Sequence, residues 1–149
     1  MNDVIVEYNR AVSFDKKNQV TKIVDTFTPV HDGAVFANAF AYQVDKGQFG
    51  KMTFSATTEG IHTESATSSI IVCPNVKQAI QKVYTITREF TGGSFNKKDL
   101  KSYNPYIIVK YAEGQKGRTE VHLPKHEATS LADLSLAGTQ KDAYYIDKE

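Results

Sequence analysis

Residues 104–124, NPYIIVKYAEGQKGRTEVHLP, decide how the rest of the chain is read. Two runs rich in β-branched and aromatic residues, Tyr106–Tyr111 and Thr119–Leu123, flank a polar link holding Gly114 and Gly117. Apolar runs on either side of a glycine-containing link read as a β-hairpin with a longer loop. Pro105 and Pro124 stand at the outer ends, where a missing N–H costs the ladder nothing. The C-terminal half is therefore built on an antiparallel pair.

Working outward, the same period of two recurs. Val4, Val6 and Tyr8 alternate with Ile5, Glu7 and Asn9, and the pattern continues through Val12 and Phe14. Asp15–Asn18 is a turn, and Val20–Val30 returns, so the two runs are expected to pair as a hairpin. Over Ala34–Val44, Phe36, Asn38, Phe40 and Tyr42 share one face and Ala37, Ala39 and Ala41 the other. A face of alanines points to something packed closely over it. Met52–Phe54, Ile70–Cys73 and Tyr84–Phe90 read as further strands, and Tyr144–Ile146 as a last one. Ser55–Ser69, rich in Ser, Thr and Glu, reads as a mobile surface loop. Helix is confined to one or two turns over Val76–Val83, from the spacing of Val76, Ala79, Ile80 and Val83, and a short turn over Asn96–Leu100. Many short strands with turn signals between them predict an all-β antiparallel β-sandwich or jelly roll.

Composition bounds the function. The chain has 149 residues, enough for one domain with a real core. Eighteen basic and seventeen acidic residues leave a formal charge of +1, so no overall field draws it to nucleic acid or anionic lipid. No apolar run approaches the ~18 residues of a membrane span. The single Cys73 excludes an internal disulfide and, after Ile70–Val72, reads as a buried small hydrophobe. No G-x-S-x-G, G-x-G-x-x-G or P-loop is present, and no histidine lies near Cys73 in sequence. Lys97, Lys98 and Lys101 read as a solvated face.

Several motifs in order resemble the LruC-type domain of bacterial surface proteins, especially lipoproteins of Bacteroidetes and related Gram-negative bacteria. Met1–Val6 resembles the end of a "D-x-D-[FM]-N-D-V-V" signature, and Gly33-Ala34 through Asn38–Phe40 is similar to "G-A-x-x-x-N-G-F-G". Asn104–Ile108 resembles "N-P-F-I", Glu120–Pro124 resembles "E-I-H-L-P", and Thr129, Asp133, Gly138 and Asp142 fall near a "P-T … D … G … D" pattern. Ala39 and Ala41 stand where the family tends to have glycine. Members usually continue past Tyr145 with a "P-W-A" segment. The resemblance implies a single sandwich domain over residues 1–149, a fragment of a larger protein or a shortened member of the family, at the cell surface or secreted and associated with the outer membrane.

Two sets of residues are candidates for chemistry. Asn2 and Asp3 keep the last oxygens of a run with alternate hard ligands, the spacing of a calcium loop, although Ca²⁺ takes 6–8 ligands. No other cofactor is indicated. His122 lies four residues from His126, but Pro124 between them is incompatible with a zinc-binding helix, and His122 reads as a structural hydrogen-bonding residue near the bend before Pro124. Eight Phe and eight Tyr are mostly sandwich core. Tyr103, Tyr106 and Tyr111, and separately Tyr144 and Tyr145, are candidates for an exposed ring that binds a glycan or a protein. The expectation is a non-catalytic binding or adhesion module, with a spacer that pairs through its strand edges as the alternative, and a hydrolase as a third, weaker reading.

Overall fold

The computed structural model describes residues 3–44, 48–54, 60–90, 94–100, 103–114 and 117–135. The alternating runs at the amino end form β1 (Val4–Phe14) and β2 (Gln19–Asp32), antiparallel, with Tyr8 opposite Phe27 and Arg10 opposite Asp25. The turn between them is set by Asp15, whose Oδ1 accepts from the N–H groups of Lys17 and Gln19 at 2.8 and 3.0 Å. Asn18 takes the left-handed conformation that closes it, at φ +59°. Eight shorter strands follow: β3 (Ala39–Gln43), β4 (Lys51–Phe54), β5 (His62–Glu64), β6 (Ser69–Cys73), β7 (Tyr84–Glu89), β8 (Phe95–Asn96), β9 (Asn104–Ile108) and β10 (Glu120–His122).

They make two five-stranded antiparallel sheets. The first runs β1-β2-β7-β4, with β8 paired to the start of β2; the second runs β10-β9-β3-β6-β5. The hairpin read from residues 104–124 is the β9–β10 pair, with Ile108 opposite Glu120 and Tyr106 opposite His122. The sheets face each other through one apolar layer: Phe27, Tyr84 and Ile86 from the first meet Phe40, Tyr42, Ile70 and Val72 from the second. Phe27 lies 5.4 Å from Phe40 edge-on and 5.0 Å from Tyr42, ring centre to ring centre, the tilted contacts that aromatic quadrupoles favour. The chain is thus an all-β sandwich. No helix among the described residues is long and apolar enough to cross a membrane.

Three details differ from expectation, each for an identifiable reason. The strand expected over Ala34–Val44 is confined to Ala39–Gln43. Before it, Asn38 turns inward and its Oδ1 accepts from the Lys110 N–H at 3.0 Å. The stretch expected to be a loop up to Ser69 contains β5 and a 3₁₀ turn at Ser65–Thr67, because its polar residues bond to one another; Thr67 is buried with its hydroxyl 2.6 Å from Glu64 Oε1. The helical turns expected over Val76–Val83 reduce to one 3₁₀ turn at Val76–Gln78, capped by Asn75. Gln81 then takes φ +65° and gives its N–H to the Pro29 carbonyl of β2, which stops the helix. The turn over Asn96–Leu100 is present as a 3₁₀ turn at Lys97–Asp99, and the strand expected at Tyr144–Ile146 lies outside the described residues.

Cys73 is fully buried between the sheets, and burial pushes its thiol up to about 12. Only the thiolate reacts at a useful rate. Folded protein at mildly alkaline pH is therefore expected to resist an aromatic disulfide reagent, and to titrate one thiol per chain once unfolded in guanidinium. Rapid stoichiometric labelling of the folded protein would contradict the closed core.

Candidate functional site

The second sheet has two working faces. Strand alternation sends Ile107 and Val121 toward the core and leaves Tyr106, Ile108, Glu120 and His122 on the outer face. Register then places outer-face residues in rows. Ala39, Ile108 and Glu120 share one; Ala41, Tyr106, His122 and Ile71 the next; Gln43, Asn104, Ser69 and Glu64 the third. Ala39 and Ala41 are fully buried under this layer. Their small size is what lets the Tyr106 ring cross the sheet and put its hydroxyl 2.7 Å from Ser69 Oγ. The close packing expected over the alanine face is this ring.

A charged network covers that ring. Arg118 reaches over Tyr106, 5.8 Å from the ring centre, and its Nη1 contacts both Glu64 oxygens at 2.7 Å. Its Nη2 donates to the Tyr106 hydroxyl at 2.9 Å. Its Nε lies 2.7 Å from Glu120 Oε2 but off the N–H direction, so that contact is an ion pair rather than a hydrogen bond. Glu120 also accepts from the Thr129 N–H at 2.8 Å and the Thr129 hydroxyl at 2.5 Å, and lies 2.9 Å from His122 Nε2. Burial alone would raise the Glu120 carboxyl; the bonds from His122 and Thr129 and the Arg118 charge outweigh it and hold the carboxyl below its ordinary value. His122 stacks on Tyr106 at 4.6 Å and places Nδ1 3.0 Å from Asn104 Oδ1. The Asn104 amide is fixed in turn, because its Nδ2 donates to Gln43 Oε1 while Gln43 Nε2 donates to the Thr67 carbonyl. The His122 ring is thus structural, as read, but its bonds run to the neighbouring strand and to Glu120 rather than to the bend before Pro124.

A second buried carboxylate, Asp25, sits between the sheets. Its oxygens accept from Arg10 Nε and Nη2 at 2.6 and 3.1 Å, from the Tyr42 hydroxyl at 3.1 Å and from the Tyr8 hydroxyl at 3.3 Å. Arg88 Nη2 lies 3.6 Å away, and Arg88 Nη1 donates to the Gln48 carbonyl. Sequence reading passed over both carboxylates. The signal was there: Asp25 stands between Ile23 and Phe27 in the inward phase of β2, and Arg10 is in the inward phase of β1 directly opposite.

Of the aromatic candidates, Tyr103 stacks on Tyr8 at 4.1 Å and lines an apolar cleft of about 240 Å³ between β1 and the β9–β10 pair. Tyr106 is 2% exposed and spent on the network. Tyr111 lies past β9 on the outer face, its hydroxyl 3.1 Å from His62 Nε2, while His62 Nδ1 lies 2.8 Å from the Gly60 carbonyl. The three tyrosines are therefore not brought into one platform, and Tyr144 and Tyr145 lie outside the described residues. Tyr111 does line a hollow of about 420 Å³ with Ile108, Gly114, Gly117, Arg118 and Leu131. Gly114 (φ +67°) faces open space, and a Cβ at Gly117 (φ +70°) would meet Asp133 Oδ2 at 2.6 Å. Gly114 thus adds no side chain to the lining, and Gly117 makes room for the Asp133 carboxylate.

The calcium candidate fares differently. Asn2 lies outside the described residues, and Asp3 is exposed with its carbonyl accepting from the Gly33 N–H at 2.9 Å. The adjacent Asp32 is buried with Oδ2 unpartnered, but the Lys77 ammonium already stands 3.8 Å from its Oδ1 and bonds the Ala34 carbonyl. Among the described residues no group of three or more His, Cys, Asp or Glu is placed to hold a metal ion.

No curated protein and no solved structure matches this chain. A family model described as "Domain of unknown function (DUF4842)" matches residues 18–149, and the chain belongs to that family.

Proposed function

We propose that this domain is a non-catalytic binding or adhesion module of a bacterial cell-surface or secreted protein of the LruC type, and that it takes its ligand in the hollow beneath Tyr111. The observation that carries the reading is the make-up of that hollow. Ile108 and Leu131 give it apolar walls, Tyr111 gives a half-buried ring fixed by His62, and Arg118 adds a cationic group to the lining. A concave site with apolar walls and few, oriented polar groups is the usual form of a small-ligand site. An aromatic face beside hydrogen-bonding groups suits a glycan, whose C–H surfaces stack while its hydroxyls bond. The non-catalytic part rests on Asp25 and Glu120, the two buried carboxylates held in charged networks, while the buried Asp32 has the Lys77 ammonium 3.8 Å from its Oδ1. Asp25 and Glu120 each have their oxygens taken up by internal donors, so neither is free to move a proton or attack.

The test is a glycan array and a panel of host-matrix proteins, probed with the wild type and with Tyr111→Ala. A glycan that binds the wild type should bind Tyr111→Ala at least about tenfold more weakly, as for loss of a central aromatic contact. Binding to a matrix protein alone would move the ligand class from glycan to protein. No binding to either panel, or binding indifferent to Tyr111, would overturn the reading. The alternative, an assembly domain that pairs through strand edges, is favoured by a separate feature, the free side of β1.

A further inference from the structure

β1 is the edge strand of the first sheet, and among the described residues no strand pairs with its second side. It is eleven residues long. Natural edges are usually short or guarded by proline, lysine or an inward charge. β1 has no proline and no lysine, and its one inward charge, Arg10, is neutralised by Asp25. At one end Asp3 O accepts from Gly33 N, and at the other Asp15 N donates to Gln19 O. Both are odd-numbered, so odd residues bond to β2, and the even residues from Val4 to Phe14 turn their N–H and C=O groups to the free side. Beside that free side lies the apolar cleft of about 240 Å³ walled by Val4, Val6, Tyr8, Val121 and Leu123, with Leu123 45% exposed.

We propose that this edge pairs with a second copy of the chain, β1 against β1, antiparallel about a two-fold axis through Asn9. The strand is complementary to itself in that register. On the inner face Val4 meets Phe14, Val6 meets Val12 and Tyr8 meets Arg10; on the outer face Ile5 meets Ser13, Glu7 meets Ala11, and Asn9 meets its own copy. No like charges face each other, and the Tyr8–Arg10 pairs match a cation with a ring. The even residues, whose backbone groups are free, fall opposite even residues, so the ladder closes without a bulge. A register centred on Arg10 would instead oppose two arginines. The paired copy lays its inner-face side chains along the mouth of the cleft and continues the first sheet across the axis. A two-fold interface of this kind closes on itself and does not propagate.

The register makes the test specific. Asn9 on the axis is a non-hydrogen-bonded pair with Cα atoms about 4.5 Å apart, within disulfide reach. Sedimentation velocity of the whole chain should show a concentration-dependent dimer. Under mild oxidation Asn9→Cys should be captured as a disulfide-linked dimer and Ala11→Cys should not; the buried Cys73 does not compete. Ala11→Glu sets two glutamates against the two Glu7 side chains and should weaken the dimer about tenfold, whereas Ala11→Lys should tighten it. Asn9 and Ala11 are exposed, so these variants fold, which circular dichroism checks. A monomer at every concentration up to the solubility limit would overturn the proposal, and so would a dimer indifferent to residue 11. The hollow beneath Tyr111 is on the outer face of the other sheet, so Ala11→Glu should leave ligand binding there unchanged, and the two proposals fail separately.

Discussion

Replacing Asp25 by alanine is expected to destabilise the folded protein by about 3–5 kcal/mol, the largest single effect we foresee. The carboxylate itself is fully buried, as is nearly all of Arg88, and Arg10 is only 17% exposed at its side chain. Removing the anion leaves two guanidinium groups in a layer of Phe27, Tyr42 and Tyr103 with no counter-charge, and two tyrosine hydroxyls with no acceptor. The cost comes from the orphaned partners more than from the lost attraction. A triple replacement, Asp25→Leu with Arg10→Met and Arg88→Met, should therefore fall within about 2 kcal/mol of the wild type or exceed it. Urea unfolding with an unchanged m-value measures both. A loss under about 1 kcal/mol for Asp25→Ala would mean that water reaches the carboxylate and that the cluster is not part of the sealed core.

The same cluster shows how far the sequence can be read. The β1–β2 pairing follows from two alternating runs and an Asp-started turn, but counting outward from that turn would set Arg10 opposite Val24; a bulge between Ser13 and Phe14 shifts the register by one and brings Asp25 there, and no local pattern announces it. What period two does not reveal is whether a charge in an inward phase is an error in the assigned phase or a buried pair. Arg88 settles it, but Arg88 arrives from β7, across a separation that no local pattern spans. The alanine face was legible for a similar reason. Ala39 and Ala41 on alternate positions demand a close neighbour, and Tyr106 supplies it, though alternation alone does not say which ring.

The misread segments share a cause. Residues 62–69 look like a loop because Thr, Ser and Glu are poor in apolar surface. They become β5 and a 3₁₀ turn because β5 pairs with the buried β6, Thr67 bonds Glu64, and Arg118, far along the chain, binds Glu64 as well. Val76–Val83 has helical spacing, but the 3₁₀ turn at Val76–Gln78 is not continued, because Gln81 bonds back to β2. The tyrosines 103, 106 and 111 look like one cluster in sequence. A strand sends successive residues to opposite faces and Tyr111 lies beyond its end, so the fold disperses them.

Glu120→Gln should cost about 3 kcal/mol at neutral pH and should also change how stability responds to acid. A neutral amide cannot accept from Thr129, face His122 Nε2 and balance Arg118 at once, because one of its two ends now donates. In the wild type the folded-state carboxyl titrates below its ordinary 4.5. A depressed carboxyl binds fewer protons folded than unfolded in the interval between the two values, so stability rises with pH there. That contribution is complete above 4.5 and is lost as pH falls through the lower folded-state value. Stability measured by urea unfolding from about pH 7 down to about pH 3 should thus drop more steeply for the wild type than for Glu120→Gln, and the gap between them should narrow in acid. Parallel curves would mean that Glu120 gains nothing from being charged in the fold. The Arg118–Glu120 contact would then be geometry without energy, and the outer face of the second sheet would be held by the Tyr106–His122 stack and the Thr129 bonds alone.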